Sequence, residues 1–108
     1  MTGANCHIIE LVDGGHVVAA AEIEPAADPT VVRASLHAAS GHVRVGARAR
    51  LVDVVLDQCE TRLRPKLEAT LPLGDVEALE RLRARCEDVQ TRPAGSTCLV
   101  DATLPHHR

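Results

Sequence analysis

The first two apolar runs of the chain alternate with polar residues and flank a pair of glycines. The runs are CHIIELVD at residues 6–13 and HVVAAAEIE at residues 16–24, with Gly14-Gly15 between them. A two-residue turn of this kind closes β-hairpins, because both of its positions tolerate a positive φ. The chain is therefore predicted to open with a hairpin, whose second strand ends in the proline-rich stretch from Pro25 to Pro29.

The next segment, TVVRASLHA at residues 30–38, supports two interpretations. Asp28 before Pro29 is a good start for a helix, and Ser40-Gly41 is a good end. Apolar and polar residues also alternate with a period of two from Val32 to Ala38, which is typical of a half-buried strand. We favour the strand and keep the helix as the alternative.

Residues 47–60 predict the first helix. Their apolar side chains recur at intervals of three and four and so share one helical face, which contains Val52, Val55, Leu56 and Cys59. Arg64-Pro65 ends this pattern. The following run KLEATLPL, residues 66–73, alternates again and is predicted to be a strand whose inward-facing residues are Leu67, Ala69 and Leu71.

A second helix is predicted after Gly74-Asp75, because an aspartate there can accept from the first backbone N–H groups of a helix. Glu77 and Arg81 are spaced i, i+4 and are expected to pair on its exposed side. Its buried stripe is expected to contain Val76, Leu79, Leu82, Cys86 and Val89. Pro93-Ala94-Gly95 turns the chain into a last strand at residues 96–104, and the tail 105–108 is expected to fray.

These elements predict a single α/β (α+β) domain over residues 1–108, a mixed and mostly antiparallel sheet with two to three helices in the order β-β-β-α-β-α-β. A helix at residues 30–38 would instead give β-β-α-α-β-α-β, a ferredoxin-like order. A chain of 108 residues can bury one core. Aliphatic side chains must fill it, because the sequence contains no Phe, Tyr or Trp.

Composition narrows the classes of function. The net charge is -3 and the pI is about 6.0, so no overall positive field attracts nucleic acid or an anionic membrane. The sequence has no Phe, Tyr or Trp to stack on bases. We expect a cytoplasmic protein, because neither a signal peptide nor a membrane span is visible. Eleven of the twelve basic residues are Arg, an actinobacterial-type composition typical of high-GC coding.

One run combines small and basic residues at a predicted strand-to-helix junction: Arg44-Val45-Gly46-Ala47-Arg48-Ala49, followed by Leu51-Val52. Small residues let the backbone approach a phosphate, and N–H groups at a helix N-terminus point at the anion. Together with the order of elements, this run resembles the C-terminal two-thirds of the acetyl-CoA-dependent N-acetyltransferase (GNAT) superfamily. That family carries Gln/Arg-x-x-Gly-x-Gly/Ala at this junction.

The resemblance implies that Arg44, Val45, Gly46, Ala47, Arg48 and Ala49 bind acetyl-CoA or a related acyl-CoA. In this interpretation the two arginines add charge-assisted contacts to the pyrophosphate. The resemblance omits the first strand and the first two helices of the family, which usually help to form the pocket for the acceptor substrate.

The sequence also departs from the family at positions that carry chemistry. Ala47 stands where the family prefers Gly. The run from Asp75 through Ala78 to Leu82 falls where the fourth helix of the family often carries Asn, Ala and Tyr, and only Ala78 agrees. That Tyr protonates the departing thiolate in many members, whereas Leu82 has no proton to give. The resemblance therefore implies a degenerate scaffold, and no catalytic residue is assigned.

Other chemically capable residues have simpler structural interpretations. The thiol of Cys86 is better explained as a small buried hydrophobe than as an acid or nucleophile. His37 and His42 flank the proposed junction, and one of them is a candidate general base, although surface imidazoles are expected. No zinc-motif spacing is present, so no metal is expected from the soft ligands Cys6, His7, Cys98, His106 and His107.

The one local concentration of positive charge is the run Arg44, Arg48, Arg50, Arg62, Arg64 and Lys66. It suits a nucleotide, a phosphate or an acidic partner, but interspersed acids also make it an ordinary solvated face. The main alternative to a coenzyme A site is a non-enzymatic interaction domain. Such a domain would act as a homodimer that pairs exposed sheet edges or helix faces.

Overall fold

The computed structural model describes residues 7–38, 46–60 and 64–104. Within them the chain forms eight helices and strands. In chain order these are β1 (His7–Asp13), β2 (His16–Pro25), β3 (Val31–Ala38), α1 (Ala47–Glu60), β4 (Lys66–Pro72), α2 (Val76–Arg85), β5 (Glu87–Ala94) and β6 (Thr97–Thr103). The opening hairpin, the first helix and the cap of the second helix lie where the sequence predicts them.

All six strands belong to one sheet in the order β1-β2-β3-β4-β6-β5. Four of the five neighbouring pairs are antiparallel, and only β3 and β4 are parallel. The prediction of a mixed, mostly antiparallel α+β sheet is thus confirmed. Residues 31–38 form a strand, so their alternation outweighs the helix-start signals at Asp28 and Pro29, and the ferredoxin-like order does not form.

Both helices cover the same face of the sheet. Residues of every second position on the central strands turn toward them and are almost fully buried: Ala19, Ala21, Ile23, Val32, Ala34, Leu36, Leu67, Ala69 and Leu71. Four of these nine are alanines, which present little more than a backbone surface. The aliphatic residues of α1, such as Val52 and Leu56, therefore pack close to the strands and complete the core without aromatic side chains.

The second helix is shorter than predicted, and a strand follows it. The N–H of Cys86 donates to Leu82 O at 2.8 Å as the last helical bond, and Cys86 itself is extended, with φ -115° and ψ 163°. Residues 87–94 then pair with β6 as an edge strand, so the prediction that Val89 lies on the helix is wrong. The helical spacing of Cys86 and Val89 is misleading because the chain leaves the helix between them.

None of the helices in the described residues is long and apolar enough to cross a membrane.

Candidate functional site

The two parallel strands part before they end. Their pairing runs from Val31 opposite Lys66 to Ser35 opposite Thr70 and stops there. Residues 36–38 of β3 stay paired with β2, while residues 71–72 of β4 stay paired with β6. A wedge therefore opens between residues 36–38 and residues 71–72. Within the described residues, the backbone groups that line the wedge have no ladder partner across it.

Both helices begin beside this wedge. In a parallel pair the carboxyl ends of the strands lie at one edge of the sheet, so α1 and α2, which follow β3 and β4, both start there. Contacts between the first turns of the helices confirm this arrangement. The N–H of Ala49 in α1 donates to Glu77 Oε2 in α2 at 2.9 Å, and Arg48 Nη1 lies 3.3 Å from Asp75 Oδ1.

The described part of the predicted phosphate loop forms the start of α1. Gly46 has φ +93°, a conformation that favours glycine, and its carbonyl accepts the first helical bond, from Arg50 N–H at 2.9 Å. The N–H groups of Ala47 and Arg48 meet no acceptor among the described residues, as is usual in the first turn of a helix. Arg44 and Val45 lie outside the described residues.

Arg48 points toward the second helix. Its guanidinium contacts Asp75, whose side chain is only 4% exposed, and Asp75 Oδ1 also accepts from the N–H of Ala78 at 3.3 Å to cap α2. The Nε of Arg48 is buried and has no hydrogen-bond partner among the described groups. A buried donor without a partner is unfavourable, so the ion pair to Asp75 satisfies Arg48 only in part.

The predicted pair between Glu77 and Arg81 does not form. Glu77 binds the backbone of α1 instead, and Arg81 makes two 2.8 Å hydrogen bonds to Asp53 of α1. Arg85 adds a bond to Asp53 at 3.1 Å. The spacing rule fails here because α1 lies alongside α2 and offers better-placed partners than the same helix does.

Hydrogen bonds from Arg81 and Arg85 lower the pKa of Asp53, the carboxylate that both arginines bind at the interface of α1 and α2. The bond from Arg81 is the largest cause that lowers the pKa of Asp53, the bond from Arg85 lowers it further, and partial burial opposes them. Asp53 therefore stays ionised to lower pH than an isolated aspartate. Charged contacts therefore join the two helices from Asp75 to Arg85, beside the buried apolar residues of both.

The opposite face of the sheet is uncovered in the described residues and polar. It forms a concave groove of about 390 Å³ across the central strands, lined by residues that include Glu22, Glu24, Arg33, Glu68, Arg92 and Asp101. Arg33 Nε lies 3.1 Å from Glu68 Oε1. The groove extends to Ser35 and Thr70, the last paired residues before the wedge. The wedge therefore connects the first turns of the helices to this polar groove.

The remaining chemical candidates are dispersed. Cys86 is 8% exposed at the end of α2, and Cys98 is half-buried on β6. His37 is exposed on β3 near the wedge, and His42 lies outside the described residues. The same is true of Cys6, His106 and His107. Where the structure describes the chain, no three His, Cys, Asp or Glu side chains are grouped to hold a metal.

Two described residues of the basic run are engaged within the domain. Arg48 turns toward Asp75, and Arg64 is used internally, because its Nη1 donates to the backbone carbonyls of Ala26, Asp28 and Val31 at 2.7 to 3.3 Å. The arginine thus fixes the turn between β2 and β3. Arg44 and Arg62 lie outside the described residues.

No protein-family model matches the sequence, and no curated protein matches it. Solved structures do. A GNAT-family acetyltransferase from Streptococcus pneumoniae superposes with a TM-score of 0.66 at 12% identity, covering 94% of this chain and 68% of the other. For the GNAT domain of S. lividans PAT the TM-score is 0.67 at 9% identity, with coverages of 96% and 64%.

A third similar structure is yncA from Salmonella typhimurium, solved with its cofactor acetyl-CoA. Its TM-score is 0.65 at 12% identity, with 93% of this chain and 65% of the other covered. The chain thus spans about two-thirds of the length of each of the three structures. At identities this low the likeness establishes architecture alone. The sheet order, the parting parallel strands and these superpositions together show that this chain has a GNAT-like fold.

Proposed function

We propose that this domain binds a coenzyme A thioester in the wedge between β3 and β4, with the diphosphate at the loop 44–49 and the start of α1. The observation that carries the proposal is the early end of the β3 and β4 pairing beside the first turn of α1. Acetyl-CoA is the cofactor in the similar yncA structure, which supports this class of ligand.

The residues present fit the two parts of such a ligand. The pantetheine arm is an extended chain with amide groups, and residues 36–38 of β3, which have no partner on β4, offer backbone donors and acceptors to it. The facing residue Pro72 has no N–H, and its carbonyl accepts from the N–H of Asp75 at 3.1 Å. The diphosphate is an anion, and the N–H groups of Ala47 and Arg48 at the positive end of a 14-residue helix suit an anion.

Binding is proposed without catalysis of the usual kind. A bound acyl-CoA would supply an activated thioester. Transfer of its acyl group to an amine forms a C–N bond, breaks the C–S bond and leaves a coenzyme A thiolate that needs a proton. Leu82 occupies the position at which the resemblance expects the tyrosine acid, and it is 1% exposed. The sequence contains no tyrosine elsewhere. We therefore propose a domain that retains the ligand and has lost the family's acid.

Titration calorimetry with acetyl-CoA tests this proposal. Saturable binding is expected, and Ala47→Pro is expected to weaken it roughly tenfold, because proline removes one N–H donor to the diphosphate yet suits the first position of a helix. Arg83→Ala, an exposed change on α2, is the control and should leave the affinity unchanged. Absence of binding at millimolar acetyl-CoA would contradict the proposal and leave only the fold.

A second candidate function is self-association, which one surface favours. Ile8 and Val12 on the edge strand β1 and Val17 on β2 are 66%, 62% and 43% exposed. Val12 and Val17 pair directly across the hairpin, next to a sheet edge that no described strand covers. An apolar strand edge is a template for another strand. Light scattering should then show a dimer that Val12→Lys dissociates, and a strict monomer at high concentration would exclude this candidate.

A further inference from the structure

The first turn of α1 is already in contact with negative charge from within the domain. Glu77 Oε2 accepts from the N–H of Ala49 at 2.9 Å, although the two residues are 28 positions apart. No acidic residue lies in the first turn of α1 itself, so the helix lacks a local anion at its positive end. The carboxylate of α2 thus stands where an anionic ligand of α1 would be stabilised.

Arg48, in the same first turn of α1, also contacts a carboxylate from the start of the second helix. Arg48 Nη1 contacts Asp75 Oδ1 at 3.3 Å while its buried Nε finds no partner among the described groups. Asp75 and Glu77 flank a single residue at the start of α2. One short stretch of α2 therefore neutralises both a backbone donor and the cation that the proposed site would offer to a diphosphate.

From this arrangement we propose that Asp75 and Glu77 hold the anion site of α1 closed, so that coenzyme A binds by displacing them. This inference rests on the proposed function, since it concerns the affinity of that same site. A diphosphate carries more charge and more acceptor oxygens than one carboxylate, so it competes effectively for the same donors.

The attachment of α2 permits such a displacement. Its C-terminal half is clamped to α1 by Arg81 and Arg85, which bind Asp53, and Arg85 also reaches Asp57. Its N-terminal end follows Gly74, whose φ of +90° is a conformation that glycine adopts readily. The clamp uses neither Asp75 nor Glu77, so loss of their contacts with α1 leaves it in place.

The test compares isosteric charge removals on one helix. Glu77→Gln removes the competing charge, and Asp75→Asn frees Arg48 of its anion while keeping a residue that caps helices well. Glu80→Gln, an exposed change on the same helix, is the matched control. Calorimetry with coenzyme A, and separately with inorganic pyrophosphate, measures each affinity, and circular dichroism checks that each variant is folded.

Glu77→Gln is expected to bind both probes roughly tenfold more tightly than the wild type, with Asp75→Asn also tighter and Glu80→Gln unchanged. Equal or weaker binding by folded Glu77→Gln, with the wild type still binding coenzyme A, would overturn this inference and leave the proposed function intact. Binding by neither the wild type nor any variant at millimolar probe would overturn both.

Discussion

The two faces of the sheet differ in polarity and burial, although their residues alternate along the same strands. On the face beneath the helices, alanines and aliphatic residues are nearly fully buried. On the other face, charged residues such as Arg33 and Glu68 remain about half exposed and pair across strands. Consecutive residues therefore differ in what they contribute: the covered face supplies buried apolar area, and the open face carries a polar groove that the described residues leave uncovered.

Substitutions at two adjacent residues of β4 should differ most in their effect on the free energy of unfolding. Leu67 is 1% exposed on the covered face, so Leu67→Ala should lower the free energy of unfolding by about 2–5 kcal/mol through lost burial and a residual cavity. Glu68→Ala on the open face removes an exposed ion pair and should cost no more than about 1 kcal/mol. Urea denaturation followed by circular dichroism measures both. Similar losses for the two variants would show that the open face is also covered.

The closeness of α1 to the sheet can be tested by overfilling it. Ala21 is fully buried on the covered face, and Ala21→Leu should destabilise the fold by about 1–3 kcal/mol because the helix must move outward. Ala20→Leu places the same side chain on the open face one residue earlier and should be nearly neutral. Thermal unfolding of both variants and of the wild type measures the two changes in stability. A tolerated Ala21→Leu would contradict close packing of α1 on the alanines.

The charged clamp between the helices gives a smaller, pH-dependent effect. The pKa of Asp53 is lowered from its ordinary value of 3.8, chiefly by the hydrogen bond from Arg81. A carboxyl whose pKa is depressed in the folded state stabilises that state above its unfolded value and loses this contribution as the pH falls through the folded value. Asp53→Asn should therefore cost up to about 1 kcal/mol at pH 7.

The difference between wild type and Asp53→Asn should shrink on acidification below pH 3.8, and urea midpoints measured from pH 7 to pH 2.5 follow it. Asp101→Asn, on the open face, is a control whose effect should stay small. A difference that grows on acidification would contradict the sign of the lowered pKa.

Local patterns predict much of the fold, because alternation and helical spacing report which face of an element is buried. They locate the hairpin, the strand at residues 31–38, helix α1 and the Asp75 cap. They miss β5, where seven of the eight residues are exposed and only Val89 is half-buried, so no apolar alternation marks an edge strand. The position of its pairing partner is a property of the sheet and not of those eight residues.

The candidate site is harder to predict from the sequence than the fold, because its contacts also depend on residues that are distant along the chain. Residues 46–49 can be placed at the start of a helix from their composition alone. The partners of Arg48 and of the Ala49 N–H, however, lie 27 and 28 residues away, at the cap and in the first turn of α2, and only the tertiary arrangement brings them together. The i, i+4 rule assigns Glu77 to Arg81 because it considers one helix in isolation.

The short pairing of β3 with β4 separates the sheet into two antiparallel groups of three strands. In the part of the chain that the structure describes, five residue pairs join the antiparallel group β1, β2 and β3 to the antiparallel group β4, β6 and β5 through the sheet itself. The helix layer and the hydrogen bonds from Arg64 to the carbonyls of Ala26, Asp28 and Val31 also join the two groups. A ligand chain lying in the wedge would hydrogen-bond to strand edges beyond the five paired residues. Its binding would then reduce the motion of the two antiparallel groups relative to each other.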